Sequence, residues 1–495
     1  MMQKPITKIV QLKTVHDFRE HLKSQNIDIP CEERILSAAE NNPLAEPINA
    51  GRLKIGNRFC VHPMEGWDSN LDGTPSELTL RRWEHFGESG AKLIWGGEAY
   101  AVCEQGRSSP NQCGVVGKDF QRAEKGILAL YQRLISAHKK RFDSTDDLVV
   151  GLQLTHSGRF SFPHEKTKRE PTIAVHQPVL DRRCGIALDD DSVVVTDDQL
   201  QELRDDFIAV AKIAQKIGFQ FVDLKHCHGY LLYELLGART RPGKYGGSFE
   251  NRTRFARELV DAMQSECPGL ELGVRLSAFD TIAYKPDPVL SQPGRPGPGI
   301  PEEIGEPLPY MHGFGIDPNN PTEGNFDEPL RFVKMLVEKS VLLWNLTCGA
   351  PYYNAHLQRP TVTPPCDSYG SPDDPLFYVA KQIHAAKTFK QTIPEAFFVG
   401  TGYTYLQDYL PHVAQGTVRN GWTDFVGLGR MTLAYWDLPN DVFSKGEIET
   451  KRLCRVLSDC TTAPRNGMPS GCFPFDPYYR ALPEYQQLRE FKSNK

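Results

Sequence analysis

The residue types best suited to acid–base chemistry lie close together in the segment 222–232. Lys225, His228 and Tyr230 follow an apolar β-like run in this segment. An ammonium group and an imidazole can bind a carbonyl or carboxylate oxygen, and a phenol with a pKa of about 10 can donate a proton beside it. We therefore predict that this cluster, which also contains His226, binds a carbonyl or carboxylate oxygen and delivers a proton beside it.

Two short glycine turns late in the chain, at 399–402 and 427–430, have the composition of a phosphate site. Glycine lets backbone N–H groups approach a phosphate, and arginine adds a bidentate charge-assisted contact. Neither turn completes the G-x-G-x-x-G pattern, so a Rossmann dinucleotide domain is not supported. The predicted phosphate-binding residues are Gly400, Gly402, Gly429 and Arg430.

Two polar residues interrupt otherwise apolar β-like runs. Arg275 lies in the segment 273–277, near the end of a predicted strand, and a buried arginine there needs an anionic or electron-rich partner. Gln153 lies inside the segment 151–156 and is either a ligand-binding amide or a core amide paired within the protein.

The cysteines predict no metal centre. Cys454, Cys460 and Cys472 are separated by five and eleven residues, whereas iron–sulfur clusters take four cysteines at tighter spacings. Zinc is no better supported. The twelve cysteines are dispersed and no export signal is recognisable, so we expect reduced thiols and a cytoplasmic protein.

The elements that would position these residues alternate regularly from about Gly51 onward, with short apolar runs followed by helical patterns. Continuous apolarity is typical of strands buried on both faces, and eight strand–helix units favour a closed (β/α)₈ TIM barrel of the α/β class. An open doubly wound sheet is the alternative. The predicted strands are 58–63, 92–97, 148–155, 219–225, 270–276, 341–347, 396–400 and 424–428. The predicted helices are 77–88, 121–139, 197–217, 249–265, 329–339, 375–390, 405–419 and one after Trp436.

Four regions go beyond a minimal barrel within 46–455. An N-terminal extension, 1–45, has a helical pattern at 16–24, and the tail at 456–495 is expected to pack on the barrel. The segment 156–196 is too long for a simple loop and is predicted to form a hairpin. The Pro/Gly-rich insertion after strand 5, at about 280–327, cannot continue a helix or a central strand. It is either a lid over the active-site face or a disordered insertion.

The bulk composition excludes several partners. A net charge of −5 gives no reason to expect nucleic acid, and no run of about 18 apolar residues predicts a membrane span. A small-molecule substrate is the expected partner, and association into a homo-oligomer is left open.

Several segments resemble the old yellow enzyme family of NAD(P)H:flavin oxidoreductases, over about 45–455. The similarity is greatest to the branch with bacterial 2,4-dienoyl-CoA reductase and trimethylamine dehydrogenase. The motifs HGYL and YGGSFENR, in this order, are highly specific. The segments in which the resemblance is found are 57–64, 72–75, 151–159, 228–236, 245–255, 273–277 and 427–431.

This resemblance implies a bound FMN and a role for each polar strand-end residue. Pro63, Met64 and Gly97 would contact the flavin ring. Gln153 would hydrogen-bond to the pyrimidine edge. Arg275 would stabilise the negative charge of the reduced ring near its N1–C2 carbonyl.

It likewise implies that Tyr230 is the proton donor and that Lys225 and His228 bind the substrate oxygen. The phosphate of FMN would be held by Gly402, Gly429 and Arg430.

The sequence departs from the family pattern at three places. Lys225 replaces the usual first histidine, which favours an anionic oxygen or carboxylate. Glu65 replaces a small polar residue near the flavin C4 carbonyl, so it either points away or is neutralised by a cation. The cysteine motif is degenerate, so electrons are expected to enter directly from NADH, NADPH or a substrate.

The predicted function is FMN-dependent hydride transfer between NAD(P)H and a small unsaturated carbonyl or carboxylate substrate. The alternatives are oxidation of an amine or carboxylate substrate, a flavin-free Schiff-base lyase that uses Lys225, and a barrel that has lost its chemistry.

Overall fold

The computed structural model describes residues 6–493, and its centre is a closed ring of eight parallel strands. Each strand pairs with its successor, and the last pairs with the first, with Val426 opposite Phe59. This closure confirms the (β/α)₈ barrel and excludes the open sheet. The strands are β1 Phe59–Val61, β2 Leu93–Ile94, β3 Val149–Thr155, β4 Phe221–His226, β5 Glu271–Ser277, β6 Leu343–Thr347, β7 Phe397–Gly400 and β8 Phe425–Leu428.

One helix packs outside the ring after each strand. Predicted helices 77–88 and 197–217 have the observed bounds, whereas predicted helix 249–265 is divided at Thr253 into Phe249–Arg252 and a longer helix. The main helices are α1 Glu77–Glu88, α2 Phe120–Phe142, α3 Asp197–Ile217, α4 Arg254–Glu266, α5 Asp327–Val337, α6 Pro375–Thr392, α7 Leu410–Arg419 and α8 Leu438–Lys445. No helix among residues 6–493 is long and apolar enough to cross a membrane.

The amino-terminal end of the barrel interior is filled with large apolar side chains. Trp95 and Phe221 pack with ring centroids 5.1 Å apart, and Leu343 and Phe425 belong to the same buried cluster. A short antiparallel hairpin, Ile48–Ala50 with Leu53–Ile55, packs against this cluster. Polar side chains are therefore concentrated at the opposite, carboxyl ends of the strands.

The terminal segments contact the barrel helices and loops. Phe18, on helix Val15–Ser24, stacks on Tyr409 at 4.3 Å between ring centroids. Arg81 of α1 makes a bidentate ion pair with Asp476 at 2.7 and 3.0 Å. Three short helices follow the barrel, at Asp459–Arg465, Pro477–Arg480 and Pro483–Ser493.

The hairpin predicted for 156–196 is wrong. The segment contains helix Pro178–Cys184 and two isolated bridges, an antiparallel one between Glu165 and Lys168 and a parallel one between Ile173 and Val194, but no pair of strands. A turn of 3₁₀ helix at Asp191–Val193, capped by the carboxylate of Asp190, takes up the residues that would extend a strand.

The insertion at 280–327 is folded where it leaves β5. It contains a short antiparallel hairpin, Tyr284–Pro286 with Gly299–Pro301. The buried carboxylate of Asp280 accepts hydrogen bonds from the hydroxyls of Tyr233 and Tyr353, at 3.1 and 2.6 Å. These bonds attach the base of the insertion to the loops after β4 and β6.

A buried ionic cluster holds the excursion at 156–196 against the barrel. The guanidinium of Arg159 donates to the carboxylate of Glu234 at 2.6 and 2.8 Å, and it also pairs with Asp181. All three side chains are essentially inaccessible to solvent.

We predict that Arg159→Met lowers the free energy of unfolding by about 3–5 kcal/mol, because two carboxylates lose their buried cation. Chemical denaturation monitored by circular dichroism would measure the loss. The control, Arg204→Met, removes a partly exposed arginine that pairs with Asp205 at 3.0 Å and should cost less than about 1 kcal/mol. Equal losses would contradict the assigned role of the cluster.

Candidate active site

The carboxyl ends of the strands surround a cavity that most of the predicted site residues line. Eleven of the thirteen residues named from the sequence contribute to its wall, whereas Gly97 and Gly400 do not. Those in the wall are Pro63, Met64, Glu65, Gln153, Lys225, His228, Tyr230, Arg275, Gly402, Gly429 and Arg430.

Glu65, which follows β1, lies among the residues predicted to bind the substrate oxygen. Its carboxylate is 3.2 Å from Nζ of Lys225 and accepts a hydrogen bond from the Tyr230 hydroxyl at 2.8 Å. Ser108 and the indole N–H of Trp67 donate to the same carboxylate. Glu65 is therefore neutralised by Lys225, one of the two outcomes that the sequence left open.

The electrostatic environment keeps Glu65 ionised and Tyr230 protonated. Burial alone favours the neutral acid, but Lys225 and the three donors outweigh it and lower the pKa of Glu65. Burial and the adjacent Glu65 charge raise the pKa of Tyr230 well above its ordinary value. Tyr230 also shares a hydrogen bond of 2.8 Å with the hydroxyl of Tyr352.

Lys225 lies at the end of β4 and contacts the face of a neighbouring ring. Its ammonium is 3.8 Å from the ring centroid of Tyr230, a cation–π contact. The ammonium therefore touches both partners of the Glu65–Tyr230 hydrogen bond.

His228 provides a neutral imidazole to the cavity. Burial, followed by the charges of Arg275 and Lys225, lowers its pKa well below the ordinary value. Its backbone has φ of 64° and its N–H donates to Ser277 Oγ at 3.2 Å. One ring nitrogen lies 3.4 Å from the side-chain amide of Gln358.

Asp223 connects the polar residues of three neighbouring strands. The Gln153 amide of β3 donates to its carboxylate at 2.5 Å, and the backbone N–H of Arg275 on β5 donates at 2.6 Å. The Arg275 guanidinium donates to the carbonyl of Pro63 at 3.1 Å. Gln153 is thus hydrogen-bonded to another residue of the core, and it also lines the cavity.

The glycines have two different functions in the structure. Gly97 has φ of 54°, and a Cβ there would lie 2.7 Å from the ring of Trp83, so it is required for packing. Its carbonyl accepts the N–H of Met64 at 3.2 Å, which positions the loop after β1. Gly402 has φ of 93° and does line the cavity beside Arg430.

Sequence reasoning missed several residues of the cavity wall. His62 lies within predicted strand 58–63 and could have been named as a polar residue in an apolar run, like Gln153. Tyr352 and Arg359 lie in the loop after β6, where no motif marked them. Arg465 lies in the tail, which the sequence did not connect with the site.

A model of the "NADH:flavin oxidoreductase / NADH oxidase family" matches residues 43–289, about half of the chain. The chain belongs to this family. The predicted resemblance to the NAD(P)H:flavin oxidoreductases is thereby confirmed as family membership.

Similar proteins and solved structures are consistent with membership of this family. A 12-oxophytodienoate reductase 1 of Oryza sativa subsp. japonica is 28% identical over 264 residues, which cover 51% of this chain and 64% of that protein. The structure of a 2-naphthoyl-CoA reductase matches with a TM-score of 0.63 and 17% identity, over 90% of this chain and 58% of that chain. An old yellow enzyme homologue of Zymomonas mobilis matches with a TM-score of 0.54 and 18% identity, over 82% and 94%. The chain thus spans less than two thirds of the first two of these proteins.

The cavity of this family member contains the donor groups that FMN requires. Among residues 6–493, the buried atoms without a hydrogen-bond partner include Nε2 of His62, Nε of Arg275 and Nη1 of Arg430, and all three residues line the cavity. Buried donors are rarely left unpaired, so these atoms indicate a bound polar ligand. Imidazole and guanidinium groups suit the ring carbonyls and the phosphate of a flavin nucleotide.

The cysteines singled out in the sequence lie beside this cavity. Cys454, Cys460 and Cys472 line one small cavity next to Arg430. Within the described part of the chain, no group of three or more His, Cys, Asp or Glu side chains is placed to hold a metal ion.

We predict that the stability of Asp223→Asn relative to the native protein increases as the pH rises to about 6. Burial raises the pKa of Asp223 from 3.8 to about 6, so ionisation disfavours the folded state. The stability contributed by the protonated acid is complete below about pH 3.8 and is lost as the pH rises to about 6. The variant does not titrate, and its stability relative to the native protein should rise by about 3 kcal/mol across this interval. Denaturation curves between pH 4 and pH 7 test this, and a difference that does not change with pH would contradict it.

Proposed function

We propose that this protein transfers hydride between NAD(P)H and a small unsaturated carbonyl or carboxylate substrate at a bound FMN. The observation that carries the proposal is the convergence, in one cavity, of Gln153, Arg275 and the group formed by Glu65, Lys225 and Tyr230. The related 12-oxophytodienoate reductase acts, by its name, on an oxo-dienoate, which supports this substrate class.

FMN, when bound, supplies a ring that accepts and donates two electrons as hydride. The loop after β1 and the strands β3 and β5 would hold its ring through Met64, Gln153 and Arg275. The loops after β7 and β8 would hold its phosphate through Gly402, Gly429 and Arg430.

Lys225 and His228 would bind the substrate oxygen. An ammonium attracts a carbonyl or carboxylate oxygen and stabilises negative charge that develops on it. The neutral imidazole of His228 can donate one hydrogen bond to the same oxygen. Together the two groups would orient the unsaturated bond for hydride delivery.

Tyr230 would supply the proton that completes the reduction. Its raised pKa keeps the phenol protonated at neutral pH. When the proton passes to the substrate carbon, the phenolate is stabilised by the Lys225 ammonium 3.8 Å from its ring. The Tyr352 hydroxyl, at 2.8 Å, can then return a proton to Tyr230.

Glu65 would determine the net charge of the group formed by Glu65, Lys225 and Tyr230. Paired with Lys225 at 3.2 Å, it leaves the pair neutral and holds the ammonium next to Tyr230. The same ion pair argues against the Schiff-base lyase, because a paired ammonium is not a nucleophile.

An outer cavity adjoins the site and shares Trp67, Tyr352 and Arg465 with it. Its wall contains aromatic side chains such as Phe160 and Phe162, and its cations outnumber its acids. Such a wall suits an anionic part of the dinucleotide donor or of a larger substrate. The charged residues of this wall are Lys166, Arg169, Arg183, Arg465 and Asp367.

Anaerobic visible spectra of the purified protein test the function. We expect a flavin band that bleaches on addition of NADH or NADPH and returns on addition of an unsaturated carbonyl compound. A band that resists both nicotinamides but bleaches with an amine would support the dehydrogenase alternative. A protein that binds no flavin would refute the proposal.

We predict that Tyr230→Phe slows the reoxidation of reduced protein by an alkene about 10²–10⁴-fold, because the proton donor is lost. Reduction by NAD(P)H should change less than about threefold, since it needs no proton from Tyr230. Stopped-flow absorbance separates the two half-reactions. Tyr233→Phe is the control, because this buried hydroxyl on the same short helix donates to Asp280 instead. Equal rates in Tyr230→Phe and the native protein would remove Tyr230 from the mechanism.

A further inference from the structure

The outer cavity has more positive charge than nearby carboxylates neutralise. Four cations and one acid belong to its wall. Two of these cations are neutralised, because Arg465 pairs with Asp367, and Arg183 pairs with Glu302 at 2.8 Å. The other two cations are therefore the groups of this wall that are available to an anionic ligand.

These two cations are Arg169 and Lys166, and neither forms an ion pair with a carboxylate among residues 6–493. The half-buried Arg169 guanidinium donates to Sγ of Cys184 and, at 3.5 Å, to the carbonyl oxygen of Arg159. Burial raises the pKa of the Cys184 thiol, so this partner carries no charge at neutral pH. Arg169 thus retains a full positive charge that charge-assisted hydrogen bonds to an anion would satisfy.

An aromatic wall connects this charge with the proposed proton donor. The Tyr230 hydroxyl lies 2.8 Å from the hydroxyl of Tyr352, and the ring of Tyr352 stacks on Phe160 with centroids 4.1 Å apart. The Arg169 guanidinium lies 5.7 Å from the ring centroid of Phe160 and 5.0 Å from that of Phe162. A ligand that extends from Tyr230 to Arg169 would therefore bury its apolar part against aromatic rings.

The reacting end of the site has a different charge balance. Lys225 is paired with Glu65 at 3.2 Å, and Arg275 is assigned to the flavin ring. A substrate carboxylate placed against the Lys225 ammonium would lie beside the like charge of Glu65, whereas a carbonyl oxygen would accept a hydrogen bond without that repulsion. This end of the site therefore suits an uncharged carbonyl group.

We propose that the acceptor substrate is an unsaturated carbonyl compound with an anionic group at its far end, and that Arg169 and Lys166 bind this anion in the outer cavity. The inference rests on the proposed function, because it places the reacting bond beside Tyr230. The outer cavity, of about 600 Å³, has the size of a small-molecule site. The phosphate of NADPH is the alternative anion, but the aromatic wall begins at the proton donor, and the acceptor is the ligand that receives a proton.

A cyclopentenone with an alkyl chain that ends in a carboxylate, compared with its methyl ester, tests the anion site. Stopped-flow reoxidation of the reduced protein gives an apparent Kd for each compound. In the native protein the acid should bind about tenfold more tightly than the ester, because charge-assisted hydrogen bonds are added. In Arg169→Gln the Kd of the acid should rise about tenfold, whereas the Kd of the ester and both limiting rates should change less than about threefold.

Two further variants calibrate this result. Lys166→Gln should raise the Kd of the acid less than Arg169→Gln does, because Lys166 is exposed and its charge is screened by solvent. Lys168→Gln is the matched control, since it removes a cation from the same segment that does not line the outer cavity. It should leave the Kd values of the acid and the ester unchanged.

The donor is tested in the same variants. If Arg169→Gln weakens the binding of NADPH but not of NADH, and leaves the acid unaffected, the cavity binds the donor and the proposal is overturned. Equal binding of the acid and the ester by the native protein would also overturn it.

Calorimetry with the saturated acid, a cyclopentanone that cannot accept hydride, separates binding from turnover. We expect this compound to bind the native protein about tenfold more tightly than Arg169→Gln. If no enone reoxidises the protein but the saturated acid still binds through Arg169, the proposed reaction fails and the anion site stands.

Discussion

The parallel register of β3, β4 and β5 decides which side chains meet at the open end of the barrel. Gln153 lies opposite Asp223, and Lys225 lies opposite Arg275. A slip of one residue would exchange the inner and outer faces of a strand and remove these side chains from the cavity. The hydrogen bonds of Asp223 to both neighbouring strands reinforce this register at the level of the cavity.

The charge pattern of the cavity joins the two residues that the resemblance predicts to depart from the family pattern. Glu65 and Lys225 are separated by 160 positions in the chain, and each looks anomalous alone. In the structure they form an ion pair that also contacts Tyr230, so the added acid is compensated by the added base. A buried carboxylate beside a flavin would otherwise oppose its reduction, and the lysine removes this cost.

The sequence predicted the barrel well because its strands are short apolar runs with buried faces, a local signal that needs no tertiary information. It also predicted the strand-end residues, such as Gln153 and Arg275, because polar residues in apolar runs are conspicuous. It could not predict the partners of Glu65, because they depend on loops that are distant in the sequence. It could not predict that Arg359 lines the cavity, because the loop of Arg359 has no periodic pattern. The hairpin expected at 156–196 failed because buried ionic contacts of Arg159, which are not local, organise that segment.

Segments that follow the last barrel strand contact residues of the cavity wall. Trp67 donates its backbone N–H to Ser470 at 2.9 Å, and Thr461 accepts a hydrogen bond from Arg359. These partners lie beyond the last barrel strand, so a chain truncated after β8 would retain all eight strands of the ring and still lack part of the cavity wall. The residues that complete the barrel and those that complete the site are therefore separable by truncation.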